Sequence, residues 1–313
     1  MTDKNKKIAI VFAMNSIYTF CAYVSIKSII NNSPLLYEKA DILVFTDSSN
    51  PDKKTLAAIG NVKVIDYTFP LKIKETSTIN RFSYLSFARY ECFNLLSTYE
   101  KIIYLDSDIL VQQELLNIFD LIENSGIGLT KEKVNVKVCA NNELENINLE
   151  KDIFNSGFIV LTNKLKVNFK EIADFCYTKT AKLIEQIYLP DMAIINFAIK
   201  YFNLIPTELS MIYNTPASLS TKTLKKAAVI HSLGHRKFWN YYYFDEWYKY
   251  YTQWIKDGGT PIEEIRKDSK IYRTLLKKLS LDKFVFFQLC PDIIKNPMKA
   301  LRFFIKYVFS IKY

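Results

Sequence analysis

Seven glycines and two histidines in 313 residues leave little room for several common active-site designs. There is no Gly-x-Gly-x-x-Gly turn and no glycine-rich loop ending in Gly-Lys-Ser/Thr, so neither a dinucleotide oxidoreductase nor a P-loop enzyme is expected. No Gly-x-Ser-x-Gly elbow occurs either. Two histidines are too few for a zinc site built on imidazoles. The five cysteines (Cys21, Cys92, Cys139, Cys176, Cys290) are odd in number, scattered and without a Cys-x-x-Cys pair. They read as buried thiols in a reducing compartment. No run approaches the ~18–20 apolar residues that cross a bilayer. The stretch Ile8 to Met14 is too short for a signal-peptide core followed by a cleavage site. A cytoplasmic protein is expected, at most peripheral on the inner face of the cell membrane.

What is present is a balanced globular composition, 49% hydrophobic and 24% charged, which marks a folded chain rather than a disordered one. The net charge of +10 is unevenly placed. Residues 266–313 carry 12 Lys/Arg against 3 Asp/Glu, whereas the residues before them hold 30 basic against 29 acidic side chains. A nucleic-acid surface would not be segregated in this way, so no nucleic-acid partner is expected.

Apolar runs alternate with periodic segments through the first half. Strands are predicted at Lys7 to Ala13, Ala40 to Thr46, Val62 to Tyr67 and Lys101 to Leu105. Helices are predicted at about Tyr18 to Asn31, Ser49 to Ile59, Ser83 to Ser97 and Leu115 to Ile122. The second half yields strands at Phe158 to Leu161 and Ala227 to Ile230. Its helices fall within Phe169 to Ile184 and at Pro190 to Tyr201. Such alternation means βαβ units, an α/β fold with a mostly parallel sheet and flanking helices.

The strand Lys101 to Leu105 runs directly into Asp106-Ser107-Asp108. Residues two apart on an extended segment share a side, so both carboxylates project from the carboxyl end of a core strand, where open α/β sheets bind ligands. Oxygen donors suit a hard divalent cation, Mn²⁺ or Mg²⁺, of the kind that holds a substrate diphosphate. Both histidines sit in one segment, His231-Ser232-Leu233-Gly234-His235-Arg236-Lys237. His231 ends a strand and could offer a neutral nitrogen to the same metal. Gly234 permits close backbone approach to a ligand, and Lys237 supplies a point charge for phosphate.

These blocks resemble glycosyltransferase family 8, the family of glycogenin and of bacterial lipooligosaccharide galactosyltransferases. Leu105-Asp106-Ser107-Asp108 looks like the family's metal-binding Asp-x-Asp. His231 to Trp239 matches His-x-x-Gly-x-x-Lys-Pro-Trp, with Phe238 in place of proline. Phe154-Asn155-Ser156-Gly157 matches the family's Phe-Asn-Ala/Ser-Gly, and Pro190-Asp191-Met192-Ala193-Ile194-Ile195-Asn196 is similar to Asp-Gln-x-x-Leu-Asn. Phe87-Ala88-Arg89-Tyr90 matches the helix whose basic residue faces the donor. The resemblance covers roughly the first 240 residues. It implies a GT-A fold, a UDP-sugar donor (UDP-galactose or UDP-glucose), and retention of configuration at the anomeric carbon. On that reading Asp106, Asp108 and His231 hold the metal, while Asp191, Asn155 and Arg89 orient the sugar. Ala13, Asn15, Tyr18, Ser107, Gly234 and Lys237 line the nucleotide, and Glu132 matches an acid that contacts the acceptor.

Two departures from the family pattern carry consequences. Asn15 stands where the family has an aspartate near uracil, so altered nucleotide contacts are expected, with Tyr18 stacking on the base. Met192 stands where the family often has glutamine near the reacting carbon. Methionine is neither nucleophile nor donor, which argues for same-face attack with the leaving phosphate as base.

Residues 1–260 are expected to form the catalytic domain and 261–313 a basic, aromatic, helical appendage. In the latter, Leu301, Phe304, Ile305 and Val308 share one helical face, with Lys299, Arg302 and Lys306 elsewhere around the axis. This pattern suits an anionic membrane surface, and the family resemblance implies a lipid-linked oligosaccharide acceptor. Competing readings are a UDP-N-acetylhexosamine-using or catalytically silent relative, a sugar nucleotidyltransferase, and a basic membrane- or nucleic-acid-binding protein. The nucleotidyltransferase needs a glycine-rich loop after the first strand, and Met14 to Tyr18 has no glycine.

Overall fold

A computed structural model describes residues 7–132, 153–242 and 244–263. The expected basic appendage therefore lies almost wholly outside the described residues. Ten strands are found among these: β1 (Ile8–Ala13), β2 (Ala40–Thr46), β3 (Val62–Asp66), β4 (Lys101–Leu105), β5 (Ile109–Val111), β6 (Ile127–Lys131), β7 (Phe154–Thr162), β8 (Thr207–Leu209), β9 (Thr215–Pro216) and β10 (Val229–His231). Seven form one sheet in the order β3-β2-β1-β4-β7-β6-β8, and β5, β10 and β9 form a second, small sheet.

The four strands β3, β2, β1 and β4 are mutually parallel, and β7 turns antiparallel beside β4. Strand β1 lies between β2 and β4, so the chain steps to one side of β1 first and to the other side later. That reversal is a topological switch point, where a crevice opens beyond the carboxyl ends of the two strands. Ala13 ends one of those strands and Leu105 the other.

The sheet is covered on both faces, and β1 shows why. Ile8, Ile10 and Phe12 enter one apolar cluster, while Ala9 and Val11 enter the other. The alternation of a strand thus feeds two cores at once, which is what a continuous apolar run requires. Helix Thr19–Asn32 packs on helix Asp245–Lys256 on the first face, and helix Phe169–Leu183 packs on helix Pro190–Tyr201 on the second. Helix Asp245–Lys256 buries Trp247, Tyr250, Tyr251 and Trp254, an i, i+3, i+4, i+7 stripe. Its Trp247 and Tyr251 rings stack at 5.4 Å. No described helix is long and apolar enough to cross a membrane.

Three predicted helices are shorter than their sequence periodicity suggests. Over Ser83 to Ser97 the chain forms a 3₁₀ segment, Tyr84–Tyr90, and only then an α-helix, Glu91–Leu95. The Ser83 and Ser86 hydroxyls engage nearby backbone groups, in competition with the α ladder. Over Ser49 to Ile59 only Lys53–Ala57 is α-helical, because the Asn50 side-chain Oδ1 accepts the Asp52 N–H in a turn. Over Leu115 to Ile122 the helix is Ile118–Leu121, since the Glu114 carboxylate accepts the N–H groups of Leu115 and Leu116.

Candidate active site

The turn after β4 is held from three sides. The Asp106 N–H donates to the Gly157 carbonyl at 2.8 Å, which ties the turn to β7. Ser25, buried in helix Thr19–Asn32, places its hydroxyl 2.6 Å from the Ser107 carbonyl and 2.9 Å from that of Ile109. On the far side β10 pairs antiparallel with β5 in a register that sets His231 opposite Ile109. The Ser232 N–H then donates to the Asp108 carbonyl at 3.1 Å. Two sequence segments more than 120 residues apart are brought together by this short ladder.

Asp106, Asp108 and His231 converge as a result. His231 Nε2 is 3.0 Å from Asp108 Oδ1 and 3.7 Å from Asp106 Oδ2. Each residue offers one ligand atom, and these atoms all lie within 4.8 Å of one another. Two carboxylates and one imidazole are a donor set that Mn²⁺ or Mg²⁺ accepts, so the residues fit the ion that the sequence implies. Gly157 makes room for them. A β-carbon there would lie 2.5 Å from His231 Cε1 and 2.6 Å from Asp106 Oδ2.

Lys237 forms an ion pair with Asp108 and donates to the Ser232 carbonyl at 2.9 Å. Burial works against the Asp108 charge, but Lys237 and His231 outweigh it and hold this carboxyl well below the usual range. Burial likewise opposes the Lys237 charge, and Asp108 overcomes it, so the ammonium is pushed up. Gly234, with φ +74°, has open space where a side chain would stand.

Arg89 is a buried strut rather than a surface clamp. Its Nη1 is 2.8 Å from Asp191 Oδ2 and donates to the Ser156 carbonyl at 2.7 Å, while Nη2 is 3.1 Å from Asp106 Oδ1. Its guanidinium carbon sits 4.7 Å from the Tyr104 ring centroid, and the Tyr104 hydroxyl donates to Asp106 Oδ1 at 3.0 Å. The Ser156 hydroxyl donates to Asp191 Oδ2 at 2.8 Å. Asp191 is therefore doubly engaged, and Met192 beside it is buried.

Asn155 is also committed. Its Oδ1 accepts from the Gly157 N–H at 2.8 Å and from Asn214 Nδ2 at 2.9 Å, while its Nδ2 donates to Glu132 at 2.8 Å. Asn214 was not singled out from the sequence. An asparagine before Thr215-Pro216 reads there only as a turn residue, and no local signal points to His231. Beyond β1, the Asn15 Oδ1 is buried with no hydrogen-bond partner among the described residues. Tyr18 is 40% exposed, with its ring centroid 5.8 Å from that of Trp239. Both rings border a cavity of about 430 Å³ that Phe20, Trp254 and Asp52 also line.

Among curated protein sequences none matches this chain. Solved structures do, among them WbbM, LgtC and GlyE, which share its fold. The bifunctional glycosyltransferase WbbM in apo form is 18% identical with a TM-score of 0.60 over 82% of this chain and 52% of its own. This chain thus spans about half of WbbM. The galactosyltransferase LgtC, in complex with donor and acceptor sugar analogs, is 16% identical with a TM-score of 0.53 over 85% of this chain and 99% of its own. The apo form of the glycosyltransferase GlyE from Streptococcus pneumoniae TIGR4 is 20% identical with a TM-score of 0.51, over 80% of this chain and 63% of its own. The sheet with its switch point is thus a GT-A fold. A family model described as glycosyl transferase family 8 matches residues 9–242, a span that runs from β1 past Lys237, and the chain belongs to that family.

Proposed function

We propose that the protein is a retaining hexosyltransferase. It would move galactose or glucose from UDP-galactose or UDP-glucose to a lipooligosaccharide or another surface glycan, with Mn²⁺ or Mg²⁺ as cofactor. The observation that carries this reading is the convergence of Asp106, Asp108 and His231 at the switch point, with Lys237 beside them. A glycosyl diphosphate departs with negative charge building on phosphate, and a cation held there would stabilise that charge. Lys237, once released from Asp108, is placed to take part of the same charge.

Asn15 Oδ1, buried and without a partner among the described residues, suits the N–H of a uracil ring, and Tyr18 offers it a face. On the sugar side, Arg89 and Ser156 hold Asp191 in one orientation, which supports a role in positioning hydroxyls rather than in attack on carbon. Met192 supplies no nucleophile either. Same-face departure and attack, with the leaving phosphate as base, is the course these residues support; a trapped glycosyl adduct on any side chain would refute it.

Residues 1–260 are assigned to catalysis and 261–313 to an anionic membrane surface, on the basic and aromatic composition of the latter. Loss of Lys270 to Tyr313 should abolish recovery on anionic vesicles, and unchanged recovery would remove that assignment. The galactosyl choice takes support from LgtC, whose structure holds donor and acceptor sugar analogs. The deciding experiment is UDP release across a panel of UDP-sugars, with and without Mn²⁺. Release confined to one hexose and abolished in D106N and D108N is the expected result. No Mn²⁺-dependent release with any donor or glycan acceptor would overturn the reading.

A further inference from the structure

The Asn214 side chain is buried between His231, Asn155 and Thr130, and the direction of every hydrogen bond through it can be deduced. The backbone N–H of Gly157 can only donate. The Asn155 amide atom 2.8 Å from it must therefore be the oxygen. That same oxygen is 2.9 Å from Asn214, which consequently presents its NH₂ group there. A second proton of this NH₂ reaches Thr130 Oγ1 at 3.1 Å. The Asn214 oxygen is thereby turned to His231 Nδ1, at 2.8 Å. Only a protonated Nδ1 satisfies that contact.

An imidazole with its single proton on Nδ1 carries its lone pair on Nε2. Nε2 is the atom that faces Asp108 and Asp106; without a cation an Nε2–H would meet Asp108, and a bound cation would take that proton's place. At the opposite end, Asn155 Nδ2 donates to the Glu132 carboxylate. All the donors in this row point away from the acidic pair and toward Glu132. Reversing Asn214, so that it donates to a bare Nδ1, would set its oxygen against that of Asn155 or would force Asn155 to turn an N–H onto Gly157. Each alternative leaves buried polar groups opposed at under 3 Å, a cost of roughly 1–3 kcal/mol per unsatisfied group.

We infer that Asn214 is a positioning residue that fixes the proton of His231 on Nδ1 and turns the Nε2 lone pair onto a divalent cation held by Asp106 and Asp108. This inference rests on the metal reading proposed above. The arrangement extends the familiar pairing of a metal-bound histidine with a carboxylate, here through two amides, and such partners commonly set metal affinity by ~10–100-fold.

The chain has two histidines, so the test is spectroscopically simple. His235→Gln, at an exposed position, leaves one imidazole in the protein. Long-range ¹H–¹⁵N spectra of that protein, recorded without metal and with saturating Mg²⁺, should show a proton on Nδ1 in both. A bare Nδ1 in either state overturns the inference. Asn214→Leu, of similar volume, should weaken Mn²⁺ binding by ~10–100-fold in a calorimetric titration and abolish the fixed Nδ1 proton. Unchanged Mn²⁺ affinity together with an unchanged ring spectrum would also overturn it. If the Leu variant does not fold, the native ring spectrum alone decides. If the native protein binds no Mn²⁺, the proposed function loses its metal, while the position of the ring proton still decides the role of Asn214.

Discussion

Gly157 and His231 stand so close that no larger residue fits between the imidazole and β7: a β-carbon at Gly157 would lie 2.5 Å from His231 Cε1. The same atom would press on Asp106 and, at 3.1 Å, on Asn155 Oδ1. Gly157→Ala must therefore move His231 or Asp106, both proposed metal ligands. Mn²⁺ affinity should fall by about 10-fold or more, with a loss of ~1–3 kcal/mol in stability from overpacking. Calorimetric Mn²⁺ titration and urea denaturation of the same variant test both parts. Native-like metal affinity would show that the ligands sit elsewhere.

Arg89 bridges Asp191 and Asp106 with its side chain only 5% exposed. Burial lowers its proton affinity, but the two carboxylates more than reverse this, so it stays charged throughout. Arg89→Met leaves two carboxylates facing each other without a cation, a loss of ~3–5 kcal/mol by the usual cost of breaking a buried pair. Arg89→Lys keeps the charge but cannot span both acids, and should recover less than half of the loss. Urea midpoints of the two variants against the native chain give the answer, and a Met variant within ~1 kcal/mol of native would be incompatible with a structural bridge.

The parallel half of the sheet was legible because β1, β2 and β4 are apolar runs bounded by polar residues, and burial on both faces is what such runs encode. Strand β7 was found only in part. It begins at Phe154, within the Asn155-Ser156-Gly157 stretch, where polar side chains are spent on the site rather than on a core. Strands β6 and β8 carried too little signal, the first with Gly128 at its centre and the second only three residues long. Helix Asp245–Lys256, absent from the predicted elements, does carry a readable stripe in Trp247, Tyr250, Tyr251 and Trp254. Asp106, Asp108 and His231, which the structure brings together, announced themselves by motif. Asn214 could not, since its partners are set by the β5–β10 ladder and by Gly157, which are tertiary facts.

Lys237 pairs with Oδ2 of Asp108, a carboxylate that the proposed metal would also use. On the proposed reading, cation and ammonium would compete for one carboxylate although both would serve the same diphosphate. Lys237→Met should leave Mn²⁺ affinity equal or tighter while UDP binding in the presence of Mn²⁺ weakens by ~10-fold or more, the worth of one charge-assisted hydrogen bond. Equilibrium dialysis with each ligand separates the two effects. Weakening of both together would mean that Lys237 supports the fold of the site instead.

The same ion pair fixes a pH window for stability. Asp108 has its folded pKa depressed, with burial opposing and Lys237 and His231 prevailing. Its contribution is therefore fully present above the ordinary value of ~3.9 and is lost as pH falls through the lower folded value. Lys237 has its folded pKa raised, with burial opposing and Asp108 prevailing. Its contribution is fully present below the ordinary value of ~10.4 and is lost as pH rises through the higher folded value. Their mutual term should thus be level from about pH 4 to pH 10 and decline only outside those limits. A double-mutant cycle of Asp108→Asn and Lys237→Met isolates that term from the titration of neighbouring groups. Urea midpoints of the four proteins with a chelator present, taken across this range, should give a constant coupling energy. A coupling that vanished by pH 8 would require the lysine to be neutral in the folded protein, which its place beside Asp108 forbids.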